Sequence, residues 1–473
     1  MDLLKSGAKM FSARSLSSLI SFLGLAYFAR TVGATELGIF FMFQALLSFL
    51  VIPSNMGLRL AIEKRISEST ANKAAYLTTG LLMKLGLLVI VSGGIILFSE
   101  RVTEYLGADL TPYLIVALVF RELSQLMVGV IRGELRVGET AIIQLSYSVT
   151  WIGTGVVLTT AGYGLQGLVS ALIAGYVVRF LWATHRQQTP FGKPRLSLGR
   201  SLAGYGIYSV IPSIDGEVHN WMDVFLISVF MTPAAVAAYE FAWRISQIFK
   251  VLIGAIGETI FPQISAWDAN DSVRQLEAMI PQAITPGLVL VIPATAGAWL
   301  LGEEMLGIFF GTEYTIAASA LVILLAGKGP RMVRAVVGKC LLGIDRADRV
   351  TIGALVDITA NLVLNIVLIQ AFGLAGAALG TTLSLLIGLG VRWWFLSQEL
   401  TVTIEWASAV WAVGGSVVMF LVLWLALTFV EISGLVTLLL AIAGGAAVYF
   451  ATLSLNERFR ADAQSLFRTL RTD

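Results

Sequence analysis

Apolar residues run through this chain in stretches of about 20, the length an α-helix needs to cross a hydrocarbon core of about 30 Å, and short polar stretches punctuate them. The pattern predicts fourteen helices, at roughly 10–32, 36–60, 76–99, 111–133, 140–162, 164–185, 202–231, 235–262, 280–301, 315–341, 350–371, 374–397, 406–429 and 432–453. Two stretches are polar enough to lie on a membrane rather than in it. In the tail, Phe459, Ala463, Leu466, Phe467 and Leu470 fall at helical spacing among arginines, and 266–279 is a weaker example of the same kind. No loop is long enough to hold a soluble domain.

The pattern repeats. Tyr163-Gly164-Leu165-Gln166-Gly167 opens the sixth helix and Phe372-Gly373-Leu374-Ala375-Gly376 the twelfth; Arg132-Gly133-Glu134 parallels Leu342-Gly343-Ile344-Asp345, and Ile66-Ser67 parallels Ile264-Ser265. Three matches in one order at offsets of about 200–210 residues indicate duplication of a six-helix unit. The chain therefore reads as an N-terminal six-helix lobe at 1–186, a cytoplasmic linker at 187–201, a C-terminal six-helix lobe at 202–398, two further helices within 399–453 and an amphipathic tail at 454–473. An even number of crossings gives both copies the same orientation, and transporters built from such parallel repeats bind substrate between the halves.

Composition agrees with lipid as the solvent: 57% of the 473 residues are hydrophobic and 13% charged, against about 25% charged in soluble domains. The mean hydropathy is +0.83. One cysteine, Cys340, and two histidines, His185 and His219, exclude a disulfide framework and a Cys/His metal motif within one chain. The formal net charge of +2 says little, but its distribution orients the chain. Of the basic residues in loops, only Arg30 and Arg101 fall on the side opposite the N-terminus, while Glu100, Glu104, Asp109, Glu303, Glu304 and Glu313 make that side acidic. Basic residues stay cytoplasmic, so both termini are expected there, in a multi-pass protein of the inner cell membrane.

The remaining basic residues, Lys84, Arg121, Arg179, Arg244, Lys250, Lys328, Arg331, Arg334, Lys339 and Arg392, fall inside predicted helices. A charge there costs about 2.5–3.5 kcal/mol on insertion scales, so such residues line aqueous cavities or pair. Arg179, Lys250, Lys339 and Arg392 are expected to snorkel to the cytoplasmic headgroups. On the tenth helix Lys328, Arg331, Arg334 and Lys339 fall within an arc of about 140° at 100° per residue, giving one basic face. The repeat sets Arg331 opposite Arg121, which either faces a cavity or pairs with Glu122 or Gln125. Asp215, His219, Asn220 and Asp223 share a face of the seventh helix, with Glu217 beside it, and Glu240 and Arg244 on the eighth stand at i, i+4. Asp357, Asn361 and Asn365 form an i, i+4, i+8 stripe on the eleventh, either lining a cavity or joining helices by hydrogen bonds. Pro53, Pro212, Pro293 and Pro330 interrupt their helices.

Enzymatic signatures are missing. Gly327-Lys328-Gly329 lacks the upstream glycine and the hydroxyl residue of a phosphate-binding loop, and neither HExxH nor GxSxG stands out. The short outer loops leave no room for a catalytic domain, so a secondary transporter needing no cofactor is expected.

Phe28-Ala29-Arg30-Thr31-Val32-Gly33-Ala34-Thr35-Glu36-Leu37-Gly38-Ile39-Phe40 resembles the junction between the first two helices of the polysaccharide flippases. Asn220-Trp221-Met222-Asp223-Val224-Phe225-Leu226-Ile227, then Ala238-Tyr239-Glu240-Phe241-Ala242-Trp243-Arg244-Ile245, is similar to that family's seventh and eighth helices, although Val236-Ala237-Ala238 stands where a glycine precedes the tyrosine. The resemblance implies an all-α fold of two six-helix lobes in a V, as in the multidrug extrusion antiporters and lipid II flippases of the same superfamily. It also implies alternating access, driven by an ion gradient or membrane potential, that moves a polyprenyl-diphosphate-linked oligosaccharide from the inner to the outer leaflet. On this reading Arg121, Lys328, Arg331 and Arg334 hold the diphosphate, Asn361 and Asn365 meet the sugar, and Asp215, Asp223 or Asp357 binds the coupling ion. A glycan polymerase or glycosyltransferases are expected partners of a monomer in the lipid bilayer, and nucleic acid is not. A drug or cation antiporter on the same fold would instead want an acidic, aromatic cavity, and a scaffold for glycan synthesis would move nothing.

Overall fold

The computed structural model describes residues 3–68, 72–249, 273–401, 406–457 and 459–460. Every regular element among them is helical: α1 (Leu3–Thr31), α2 (Ala34–Asn55), α3 (Leu58–Ser67), α4 (Lys73–Leu97), α5 (Ser99–Leu106), α6 (Thr111–Gly133), α7 (Val137–Thr160), α8 (Gly164–Arg186), α9 (Leu196–Phe230), α10 (Pro233–Ser246), α11 (Val273–Phe309), a 3₁₀ turn (Thr312–Ala317), α12 (Ala318–Ala326), α13 (Lys328–Gly343), α14 (Ala347–Leu396), α15 (Trp406–Leu427) and α16 (Leu435–Leu453). Ten stretches among the described residues are long and apolar enough to cross a membrane. The chain is a multi-pass, all-helical membrane protein, and the expected count of fourteen is not reached by that measure. Lys250 and most of the amphipathic tail, from Ala463 to Leu470, lie outside the described residues, as does 266–272 of the weaker surface stretch; the side chains of Asp215 and Arg274 are likewise outside them.

Four predicted helices differ, each for a local reason. The second stops at Asn55 because Met56 and Gly57 take φ of 42° and 74°, and the chain resumes as α3. Gly57 is needed there twice over: its φ is left-handed, and a Cβ would run into the Gly206 backbone of α9. The tenth breaks into a 3₁₀ turn, α12 and α13. Pro330 lacks the N–H that would bond the Ala326 carbonyl four residues back, and α12 ends at Ala326. The eleventh and twelfth form one helical path, α14, of 50 residues. At 1.5 Å per residue that is about 75 Å, more than twice a hydrocarbon core, so it turns back on itself. The turn is Gly373, at φ 56° and ψ −131°. Across it the arms run antiparallel in register: Gly353 meets Arg392, Asp357 meets Gly388, Asn361 meets Ser384, Asn365 meets Gly380 and the Leu368–Ile369 peptide meets Gly376. Small residues on the second arm let backbones approach where lipid offers no hydrophobic drive. Helix α5, a short surface element, has no counterpart among the predicted helices.

The described chain divides into two compact units, Met1–Ser228 with Thr232–Ala237, and Val229–Met231 with Ala238–Asp473. The division falls later than the expected linker at 187–201, because that stretch is fastened to the first unit. The backbone N–H groups of Gln188 and Thr189 both donate to Glu134 Oε1 at 2.7 Å, Gly192 N donates to Thr78 Oγ1 at 2.9 Å, and Arg195 N donates to Thr79 Oγ1 at 3.0 Å. Helix α9 then packs Phe225 against Phe49 and Tyr105. The core of the first unit gathers Leu58, Ile62, Leu77, Leu126, Ile131 and Leu202. That of the second gathers Ile280, Ile284, Val337, Cys340, Leu341 and Leu396. Helices α15 and α16 attach to α11 through Met419, Leu423 and Tyr449, whose hydroxyl donates to the Val289 carbonyl at 2.5 Å.

The duplication read from sequence has backbone counterparts. Leu135 and Asp345, at the repeat spacing, take φ of 61° and 60°, and each precedes an arginine, Arg136 or Arg346, that starts the next helix. Arg136 N donates to Ile131 O and Arg346 N to Leu341 O. The α7–α8 pair occupies 137–186 and α14 occupies 347–396, the same length at the same offset.

Candidate functional site

In the first unit, helices α2, α4, α6, α8 and α9 bring a set of charges together. Lys84 of α4 is buried and donates both to Glu122 of α6 and to Asn55 Oδ1, the latter at 3.0 Å. Arg121 stands about 100° around α6 from Glu122 and turns away from it. Its Nη1 donates to Ser48 Oγ at 2.9 Å, and its Nη2 lies 3.8 Å from Glu217 Oε1. Neither partner weighed for Arg121 from sequence, Glu122 or Gln125, is the one it takes.

A second arginine, Arg179, lies close enough to Arg121 to feel its charge. Arg179 of α8 was expected at the headgroups, yet it is only 6% exposed. Its guanidinium lies 5.7 Å from the centroid of the Tyr147 ring, on α7. Tyr147 stacks in turn on Tyr176 of α8, with centroids 5.3 Å apart. Gly175 makes room for this: a Cβ there would stand 3.0 Å from Tyr147 Cδ2. Tyr176 and Arg179, at i and i+3 behind a glycine, are the signal that was available. Arg392 of α14 is also buried and donates to the Val350 carbonyl at 3.3 Å, so it does not snorkel either. Lys339 is half-buried.

The basic face expected of the tenth helix belongs to α13, where its members meet different neighbours. Arg334 forms an ion pair with Asp357, whose side chain is fully buried on α14. Lys328 is buried and donates to Gln247 Oε1 at 3.3 Å, and Arg331 is half-buried. Asp357, expected at a coupling site, is thereby the counter-charge of Arg334. Asn361 donates to Thr381 Oγ1 at 3.1 Å and Ser384 Oγ at 3.3 Å, and Asn365 is buried beside Gly380, so both expected sugar contacts lie inside the α14 hairpin. Glu240, buried, holds Arg244 at 2.7 Å. On α9, His219 and Asp223 are buried.

Ten stretches among the described residues long and apolar enough to cross a membrane, with ion pairs buried among them, define a multi-pass helical membrane protein. A family model described as polysaccharide biosynthesis protein matches residues 3–267. The chain belongs to that family, the polysaccharide flippases of the multidrug/oligosaccharidyl-lipid/polysaccharide exporter superfamily. Among curated proteins it is 37% identical over 463 residues to a probable low-salt glycan biosynthesis flippase, Agl15, of Haloferax volcanii, covering 98% of each chain. Among solved structures it is similar to a lipid II flippase, MurJ, in an inward closed conformation, with a TM-score of 0.79, 16% identity, and coverage of 96% of this chain and 98% of that one. It is also similar to an inward-facing multidrug resistance transporter of the MATE family, with a TM-score of 0.63, 16% identity and coverage of 81% and 94%. The expected all-helical, MATE-like fold is therefore present.

Proposed function

We propose that this protein moves a polyprenyl-diphosphate-linked oligosaccharide from the inner to the outer leaflet of the cell membrane by alternating access. An ion gradient or the membrane potential drives it, and both termini are cytoplasmic. The observation that carries the reading is Arg121. Its guanidinium lies on a helix long and apolar enough to cross a membrane, donates to the neutral hydroxyl of Ser48, and pairs with Glu217 only loosely, at 3.8 Å. Such a charge is kept where an anion must be met. The similarity to a glycan biosynthesis flippase supports a lipid-linked glycan as the cargo.

Arg121 and Arg331, equivalent by the repeat, take the diphosphate, with Lys328 extending the basic surface of α13, whereas Arg334, expected to join them, is engaged by Asp357. Asp357 holds Arg334 in place, and Asp215 and Asp223 of α9 remain the candidates for ion coupling. Asn361 and Asn365 close the α14 hairpin rather than meet the sugar. Monomers working beside a glycan polymerase or glycosyltransferases complete the proposal.

The test is reconstitution in liposomes with a fluorescent lipid-linked sugar, reading the fraction that becomes accessible in the opposite leaflet with and without an imposed ion gradient. Wild-type protein accelerates the exchange, and the Arg121→Ala/Arg331→Ala double variant, at matched expression, does not. Exchange by the double variant at the wild-type rate would refute the assignment.

A further inference from the structure

Three basic side chains of the first unit, on α4, α6 and α8, differ in what they face. Lys84 faces Glu122 and Arg121 faces Glu217, but Arg179 has no carboxylate beside it among the described residues. Its Nε is buried without a hydrogen-bond partner, and Arg121 and Arg132 are close enough to repel it. Burying one guanidinium near two others costs several kcal/mol unless an anion joins them. A cation–π contact offsets only about 0.5–2 kcal/mol of that.

The surroundings hold Arg179 in place instead of neutralising it. The Tyr147 ring lies under the guanidinium, 5.7 Å from Cζ to its centroid, Tyr176 backs that ring, and Gly175 admits both. A guanidinium held by a ring rather than by a carboxylate keeps N–H groups for a ligand, and their planar fork matches two oxygens of a phosphate. Helices α6 and α8 are tied at this level by Phe120 against Phe180, with ring centroids 6.0 Å apart. Each of those rings is the chain neighbour of an arginine, Arg121 or Arg179, so the two arginines stand at one depth on adjacent helices.

We infer that Arg179 and Arg121 form a two-arginine phosphate site within the first unit, with Tyr147 and Tyr176 as the positioning residues of Arg179. The inference rests on the flippase reading above and deepens it, giving Arg121 a partner in its own unit. The ligand chemistry is a phosphate or diphosphate ester carried on a lipid, supplied either by the glycan cargo or by an anionic phospholipid.

Binding to full-length protein in phosphatidylcholine nanodiscs, probed with polyprenyl-diphosphate N-acetylglucosamine, tests it. Arg179→Gln raises Kd about tenfold or more, and Arg179→Lys, which keeps the charge but loses the planar fork, falls between. Tyr147→Phe binds as wild type because the ring remains, whereas Tyr147→Leu weakens binding about threefold to fivefold. A merely structural role for the ring would not separate those two variants by ligand affinity at equal thermal stability. In a second arm phosphatidylglycerol replaces part of the nanodisc lipid. Competition in the wild type that vanishes in Arg179→Gln makes phospholipid an occupant of the site, and its absence assigns the site to the cargo.

Equal affinity of wild type and Arg179→Gln for both lipids overturns the inference. If Arg179→Gln does not fold, hydrogen exchange in the wild type decides: added cargo lipid slows exchange over 144–151 and 175–182, and unchanged exchange there at saturation overturns the site. A wild type that binds but never flips in liposomes would sink the flippase reading and leave the phosphate site standing.

Discussion

Lys84 and Glu122 form a buried ion pair between α4 and α6, with side-chain exposures of 1% and 3%. Removing one partner leaves the other charge without compensation in a low-dielectric interior, which costs about 3–5 kcal/mol, while replacing both by apolar residues of similar volume is often neutral. Lys84→Met is thus expected to lose about 3–5 kcal/mol. Part of that loss passes through Asn55, whose Oδ1 accepts from both Lys84 Nζ at 3.0 Å and Arg59 N at 3.2 Å. With the lysine gone, Asn55 still caps the first turn of α3, so the effect should be centred on Glu122. Lys84→Met/Glu122→Leu should recover most of the stability, so that two single losses of about 3–5 kcal/mol each against a near-neutral double give a coupling energy of at least about 5 kcal/mol in a double-mutant cycle. The assay is equilibrium unfolding in mixed micelles for wild type, both single variants and the double. Additive losses, or a Lys84→Met within about 1 kcal/mol of wild type, would show that the pair is solvated and that the interior of the first unit is wetter than its packing implies.

Other perturbations test the hairpins and the linker. Gly373→Ala places a Cβ at φ 56°, ψ −131°, a conformation costing about 1–3 kcal/mol for other residues, and should lower thermal stability by that amount; no change would mean the α14 turn relaxes freely. Asn361→Leu removes two hydrogen bonds worth about 0.6 kcal/mol each and should lower stability by about that sum while leaving flipping intact, so lost flipping at unchanged stability would return Asn361 to the substrate. Glu134→Ala frees the N–H groups of Gln188 and Thr189 together with the Thr189 hydroxyl, and limited proteolysis at 187–195 should accelerate several-fold; an unchanged cleavage rate would show that the remaining anchors at Thr78 and Thr79 suffice.

Helix positions were readable because each span must satisfy its own backbone and stay apolar for its full length. Thus 111–133 and 164–185 were placed to within a residue of α6 and α8. The break at Gly373 was marked by the match of Phe372-Gly373-Leu374 to Tyr163-Gly164-Leu165, and both glycines take positive φ. Partners were not readable, because they depend on which faces of separate helices meet. Arg334 and Asp357 lie on different helices 23 positions apart, and Lys84 and Glu122 are 38 apart. The stripe Asp357, Asn361, Asn365 was recognised as a face but not as the seam of a hairpin, since the small residues it meets, Gly388, Ser384 and Gly380, carry no polar pattern of their own beyond one serine. Arg179 was misplaced because its distance from the end of α8 suits snorkelling, and only the ring across from it on α7 reveals otherwise.

Duplication explains why the two hairpins carry different chemistry. The α14 arms meet through Asp357, Asn361 and Asn365, and their polarity is spent inside the second unit: Asp357 on Arg334, and Asn361 on Thr381 and Ser384. At the equivalent positions the α7–α8 hairpin has Tyr147, Trp151 and Gly155, an aromatic seam that offers no carboxylate. A basic residue facing that seam cannot be neutralised by its own hairpin, which is the situation of Arg179. The second unit has an acid close to hand for Arg334, and among the described residues the first does not have one for Arg179. Anion affinity should therefore be set chiefly by α6 and α8, and transplanting the acid tests this: Tyr147→Asp would supply Arg179 with the counter-charge that Asp357 gives Arg334. The variant should fold with stability near wild type, because it exchanges a cation–π contact for an ion pair, yet lose about tenfold or more in affinity for a lipid diphosphate as the guanidinium is taken. Undiminished affinity in a folded Tyr147→Asp would mean that the first hairpin does not hold the anion, and that α13 with Arg331 carries the cargo alone.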